Sequence, residues 1–166
     1  MTFADVLRGD SLFLDANTLV YHFEPHPTLG LACTQLLLRI EQQDIVGYSS
    51  THILTEVAHR LMMIEASYLP GVGPTKVNKR LQQKPAIVQS LTRFKIALEE
   101  VLQSNLRLLT IPPPLISVAA KLSQQTGLLS NDALVIAVMQ ANGLTKLASA
   151  DIDFDRVPGI GRYAPI

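Results

Sequence analysis

Asp15, Glu56, Asp132 and Asp151 are four carboxylates that a folded α/β chain would deliver to one point. Asp15 ends the apolar run Leu12-Phe13-Leu14, and Asp151 follows Leu147-Ala148-Ser149-Ala150. Glu56 lies in the helical stretch Ile53-Leu54-Thr55-Glu56-Val57-Ala58, and Asp132 opens an apolar helix that continues through Met139. Each acid alone has an ordinary reading: a strand-end cap, a surface glutamate paired with Arg60, a helix-start acid facing free amides, or a loop charge. Gathered within coordinating distance, the four repel by on the order of several kcal/mol, which a protein tolerates only beside a compensating cation. Oxygen-only ligands select hard ions, so Mg²⁺ or Mn²⁺ is expected rather than zinc. Such an ion lowers the pKa of water and offsets charge on a phosphorus transition state. The expected chemistry is phosphodiester hydrolysis by metal-activated water. Asp153 and Asp155 extend the last acid into a cluster that repels itself unless a cation or a base intervenes.

An alternation of strands and helices would position these acids. Residues 11–15 read as a short buried strand turning into a helix at Asn17-Thr18. A helix over about 29–42 takes Leu31, Leu36, Leu37, Leu38 and Ile40 as its apolar side, and 45–49 is the next strand. Ser50 or Thr51 then caps a helix running through Glu56 to about Ser67. Residues 70–74 form a loop, followed by a short basic helix up to Pro85. Ile87, Leu91, Phe94, Leu98, Val101 and Leu102 recur at helical spacing and predict one helix over 87–103. A strand at 106–111 stops at three prolines, which preset a helix over about 115–125 that Gly127 ends. Ser130 or Asn131 caps a helix over 132–141, and 145–149 and 162–164 are further strands. This order predicts a mainly parallel sheet covered on both faces, with ligands gathering beyond the carboxyl ends of its strands.

With 166 residues, 48% of them hydrophobic, the chain can bury one sizeable core, which excludes a disordered protein. No apolar run approaches the roughly 20 residues of a membrane helix. Cys33 is the only cysteine, so an internal disulfide is excluded, and no Cys or His cluster has structural-zinc spacing. With no evident secretory leader, a cytoplasmic location is expected. Formal net charge is zero, yet residues 66–98 hold no Asp or Glu while carrying Lys76, Lys79, Arg80, Lys84, Arg93 and Lys95. That asymmetry fits a polyanion-gripping segment beside a metal-binding acidic body, with a solvated helical face as the alternative. His22 and His26 flank Glu24-Pro25 and read as a surface turn; His52 and His59 read as packing or exposed residues. Cys33 reads as a small buried apolar residue, and the stretch 61–64 as core or dimer surface.

Phe13-Leu14-Asp15-Ala16-Asn17-Thr18, Thr55-Glu56, Asn131-Asp132-Ala133-Leu134-Val135-Ile136-Ala137 and Ser149-Ala150-Asp151-Ile152-Asp153-Phe154 resemble, in order, the four motifs of PIN-domain nucleases. Asp155-Arg156-Val157-Pro158-Gly159-Ile160 resembles the tail common in VapC-type toxins. The resemblance spans nearly the whole chain. It implies a three-layer α/β/α sandwich with a central, mainly parallel sheet of about five strands, Mg²⁺-dependent RNA cleavage, and often a homodimer neutralised by a small antitoxin. Residues 1–166 then form a single PIN-like domain with a basic helical insertion at about 66–98, longer than in compact relatives. By position, Asp15, Glu56, Asp132 and Asp151 form the catalytic quartet, with Asp153 a further metal ligand because some relatives place the last acid two residues later. Asn17 and Ser149 are the implied orienting groups. Lys76, Lys79, Arg80 and Lys84 are the expected RNA contacts.

Two other readings compete. Leu14-Asp15-Ala16-Asn17-Thr18 partly mimics the start of haloacid-dehalogenase-type phosphatases, although Asn17 replaces that family's second aspartate. A PIN-like module that holds RNA or protein without cutting would be favoured by loss of an acid, and none of the four is missing.

Overall fold

A computed structural model describes residues 1–24 and 26–166; Pro25, in the turn expected between His22 and His26, lies outside the described residues. Strands β1 (Ser11–Leu14), β2 (Val46–Ser50), β3 (Arg107–Leu109), β4 (Lys146–Ala148) and β5 (Gly161–Tyr163) form one sheet. Its order is β3-β2-β1-β4-β5 and every pairing is parallel. Leu12, Phe13 and Leu14 are fully buried, as a central parallel strand covered on both faces requires. The chain runs outward from β1 through β2 to β3, then returns to the other side of β1 with β4. The β1–β4 boundary is therefore the place where the connections diverge, the position at which open α/β sheets generally hold their ligands.

The surrounding helices are α1 (Ala16–Phe23), α2 (Gly30–Glu41), α3 (Thr51–Ser67), α4 (Val77–Gln83), α5 (Pro85–Ser90), α6 (Arg93–Gln103), α7 (Pro114–Thr126) and α8 (Ser130–Ala141). The expected three-layer α/β/α arrangement is present. α8 is apolar all round, with Ala133 through Met139 buried, so it lies inside the fold rather than on its surface. Ser50 caps α3 by accepting from the Ile53 amide at 3.3 Å.

Three local expectations are corrected. The helix expected over 87–103 is two helices, because Leu91 turns extended (φ −74°, ψ 137°). Leu91 buries itself with Ala66, Val72, Val77 and Leu81 in a second apolar cluster, so its hydrophobicity serves a turn rather than a helix face. Leu31 and Leu38 of α2 face outward, and Cys33, Leu36 and Ile40 form its buried side. α8 begins at Ser130 with Leu129 at its N-cap, so neither Ser130 nor Asn131 caps it.

The break before α6 is held by a carboxylate from elsewhere. Glu65, near the end of α3, accepts from the Thr92 amide at 2.9 Å and the Arg93 amide at 3.0 Å. It takes the part a side-chain cap plays and satisfies two amides at the start of α6. Glu65→Ala is expected to lower stability by about 1 kcal/mol, read as a lower denaturation midpoint at unchanged m-value. An unchanged midpoint would show that α6 starts without this cap.

Candidate active site at the strand switch

Asp15 follows the last residue of β1 and caps α1, its backbone still extended (φ −77°, ψ 161°). Its amide donates to the Ala148 carbonyl at 3.1 Å, continuing the β1–β4 pairing one residue beyond the strands. Its carboxylate accepts from the Ala16 amide at 2.7 Å, the Ser149 hydroxyl at 2.7 Å, and the Asn17 side-chain amide. Asn17 also donates to Ser149 Oγ at 3.0 Å and accepts from the Ala150 amide at 3.0 Å. Ser149 Oγ in turn accepts from the Asp151 amide at 3.0 Å. One buried network thus joins the end of β1 to the turn after β4. On Asp15, Oδ2 takes two donors and Oδ1 takes one, leaving one acceptor position on Oδ1.

Thr18 and Ser49 reinforce the same point, and sequence reading gave them no role. Thr18 Oγ1 donates to the Ala148 carbonyl and Ser49 Oγ to the Leu14 carbonyl, both at 3.0 Å, and both side chains are fully buried. A hydroxyl next to the end of a parallel strand was the available signal: the strand's last carbonyls need donors once the ladder stops.

The other acids arrive from separate segments. Glu56 stands on the second turn of α3, and Asp132 is the third residue of α8. Asp151 caps the 3-10 turn Ile152–Arg156 and accepts from the Asp153 amide at 2.8 Å. Burial pushes the Asp15 carboxyl up to about 6, opposed by its Ser149 and Ala16 hydrogen bonds and reinforced by the charges of Glu56 and Asp132. Asp132 is also raised, first by burial and then by the charges of Asp151, Glu56 and Asp153. The quartet therefore shares one electrostatic neighbourhood.

The carboxylates interact without closing to coordination distance. Among the described residues, no three Asp, Glu, His or Cys side chains enclose an ion-sized point. Two of the acids pair with arginines: Glu56 lies 3.8 Å from Arg60, and Asp153 pairs with Arg156 at 2.5 Å. Arg156 also donates to the Gly127 carbonyl at 3.3 Å, tying the segment before α8 to the last-acid turn. Among the described residues no arginine or lysine forms an ion pair with Asp151, which separates it from Asp153 and Asp155. The donor set fits a hard dication: only oxygens, mutually destabilised charges, and a spare acceptor position on the buried Asp15.

The basic residues lie elsewhere. Lys76, Lys79 and Lys84 are exposed and Arg80 is half-buried, donating to the Gly71 carbonyl. They flank or lie on α4, whose Val77 and Leu81 join Ala66 at the far end of α3. Ten residues of helix separate Ala66 from Glu56, about 15 Å along the axis. His22 lies on α1 against Thr34 at 3.0 Å, His26 bonds its own turn through Thr28, and His52 and His59 lie on α3.

The sequence profile of the PIN domain matches residues 12–160. The chain belongs to the PIN-domain family. It is similar to the ribonuclease VapC2 of Methanocaldococcus jannaschii, 26% identical over 154 residues that cover 91% of each chain. Among solved structures it resembles Mycobacterium tuberculosis VapC20, described as a toxin that cleaves the sarcin-ricin loop. That match has a TM-score of 0.61 at 18% identity and covers 87% of this chain and 92% of the other. It also resembles a chain of Rickettsia felis VapBC2 bound to a fragment of promoter DNA (TM-score 0.56, 18% identity, 93% and 98% coverage). The fold of this PIN-domain chain is therefore shared well beyond its sequence similarity.

The raised Asp15 value carries a sign. Its folded-state pKa of about 6 exceeds the ordinary 3.8, so in metal-free protein the native state keeps a proton that the unfolded state releases. This group's contribution to stability is present below about 4 and is lost as pH rises through about 6, on the order of 1–3 kcal/mol. A ¹³C titration of the Asp15 carboxyl without metal should show a midpoint near 6. A midpoint near the ordinary carboxylate value would refute the burial account.

Proposed function

We propose that this PIN-domain chain is an Mg²⁺- or Mn²⁺-dependent endoribonuclease, the toxin of a toxin–antitoxin pair, acting in the cytoplasm as a homodimer that a small antitoxin protein restrains. The observation that carries this reading is the meeting of Asp15, Glu56, Asp132 and Asp151 in one electrostatic neighbourhood at the β1–β4 switch. Similarity to the ribonuclease VapC2 and to VapBC structures supports RNA as substrate and an antitoxin as partner. No helix among the described residues is long and apolar enough to cross a membrane.

In this reading residues 1–166 act as one domain, with 66–98 as a basic helical insertion. Asp15, Asp132 and Asp151 would hold the dication, and Asp153 would join them only by leaving Arg156. An ion held there would supply Lewis acidity, which would ease deprotonation of water and offset charge on the phosphate. Ser149 and Asn17 fix the Asp15 carboxylate so that its free acceptor position does not wander. Glu56, within 3.8 Å of Arg60, orients water for attack on the phosphate. Lys76, Lys79, Arg80 and Lys84 grip the RNA backbone away from the scissile bond. The phosphatase alternative needs an acid/base group at position 17, where Asn17 instead donates to Asp15.

Purified protein with Mn²⁺ should cleave RNA, EDTA should abolish the cleavage, and Asp15→Asn or Asp132→Asn should reduce it by about a hundredfold or more with the fold retained. Undiminished cleavage by both variants would remove the metal-site assignment. Phosphomonoester hydrolysis without nuclease activity would favour the phosphatase, and RNA binding without cleavage the non-cutting module. Replacing Lys79, Arg80 and Lys84 by alanine should weaken RNA binding and flatten its dependence on salt, by roughly 0.7 in log–log slope per lost single-strand phosphate contact. An unchanged slope would place the RNA path elsewhere.

A further inference from the structure

Arg162 lies on β5, opposite Leu147 of β4, with only 14% of its side chain exposed. Its guanidinium makes three directed bonds. Nε and one terminal nitrogen grip the two carboxylate oxygens of Asp155, each at 2.8 Å, and the other terminal nitrogen donates to the Ser149 carbonyl at 3.2 Å. Asp155 is in the 3-10 turn after the last acid, and Ser149 carries the hydroxyl that bonds Asp15. One rigid planar group therefore spans both ends of the segment bearing Asp151. The backbone at the β5 edge supports the same join, because the Ser149 amide donates to the Tyr163 carbonyl at 3.0 Å.

We infer that Arg162 is a positioning residue that holds the 149–155 segment against Asp15, so that Ser149 and Asp151 are presented together. It is no catalytic group: its bonds are to Ser149 and Asp155, not to the acids proposed to hold the ion. The fork geometry matters more than the charge. A guanidinium can bond a carboxylate with two nitrogens and a carbonyl with a third, whereas an ammonium provides one point of attachment on a flexible stem. Losing the fork frees the Ser149 carbonyl and lets the turn drift, which loosens the Ser149–Asp15 and Ser149–Asp151 bonds together. Such outer partners of a metal-binding group typically change metal affinity by about 10–100-fold when removed. The metal half of this inference rests on the proposed ion site; the anchoring half does not.

The test has two arms on full-length protein. Without metal, amide hydrogen exchange at Ala150 and Asp151 should quicken by about tenfold or more in Arg162→Met while amides of β1 and β2 keep their protection. With Mn²⁺ alone as the probe, calorimetric titration should show about tenfold weaker binding in that variant. Arg162→Lys should recover little of either effect, and Asp155→Asn should shift both in the same direction by less. Unchanged exchange in Arg162→Met overturns the inference, as does full rescue by lysine, which would assign charge alone. If Arg162→Met loses protection throughout the sheet, Asp155→Asn decides: no local quickening there also overturns it. Wild-type protein that binds no Mn²⁺ defeats the proposed ion site, and the exchange arm still decides the anchor.

Discussion

A carboxylate held almost out of water at the end of the central strand sets the terms for everything around it. Asp15 keeps only 7% of its surface exposed, and burial is the largest influence on its ionisation. A charge in such a place is tolerated only if donors surround it. Those donors come from its own helix start and from the turn after β4, elements far apart in sequence. Sheet topology makes the meeting possible, since β4 pairs with β1 on the side opposite β2. The same requirement accounts for Thr18 and Ser49, which supply donors to carbonyls at the strand ends.

Arginine placement then separates acids that resemble one another. Asp153 and Asp155 are paired with Arg156 and Arg162, and Glu56 is within reach of Arg60. Asp15 and Asp132 instead lean on burial and mutual repulsion, which raise both. Charge is thus neutralised around the rim of the cluster and left uncompensated at its centre.

The fold was legible in the sequence wherever a burial pattern and a stop signal agreed. Leu12-Phe13-Leu14 read as a buried strand and is one, and Gly127 ends its helix with a left-handed turn (φ 74°). The four acids were legible because each sits beside such an element. The split between α5 and α6 was not legible, because Leu91 keeps helical spacing while packing into a second cluster and the decisive cap, Glu65, lies 27 residues earlier. The roles of Arg156 and Arg162 were hidden for a similar reason. Their targets include the backbone carbonyls of Gly127 and Ser149, and no residue type announces that a carbonyl needs a donor.

The β1–β4 pairing also governs when the centre comes into being. Asp15 and Ser149 are 134 positions apart, so the hydrogen bond between them closes a loop containing most of the molecule. A contact of such long range carries the entropic cost of closing that loop. During synthesis α1 through α7 can collapse while Asp15 still lacks Ser149, and Asp151 has yet to be added. A chain that ends just before β4 carries Asp15, Glu56 and Asp132 but lacks Ser149 and Asp151. The hydrogen-bond network around Asp15 is thus completed only by some of the last residues to be made.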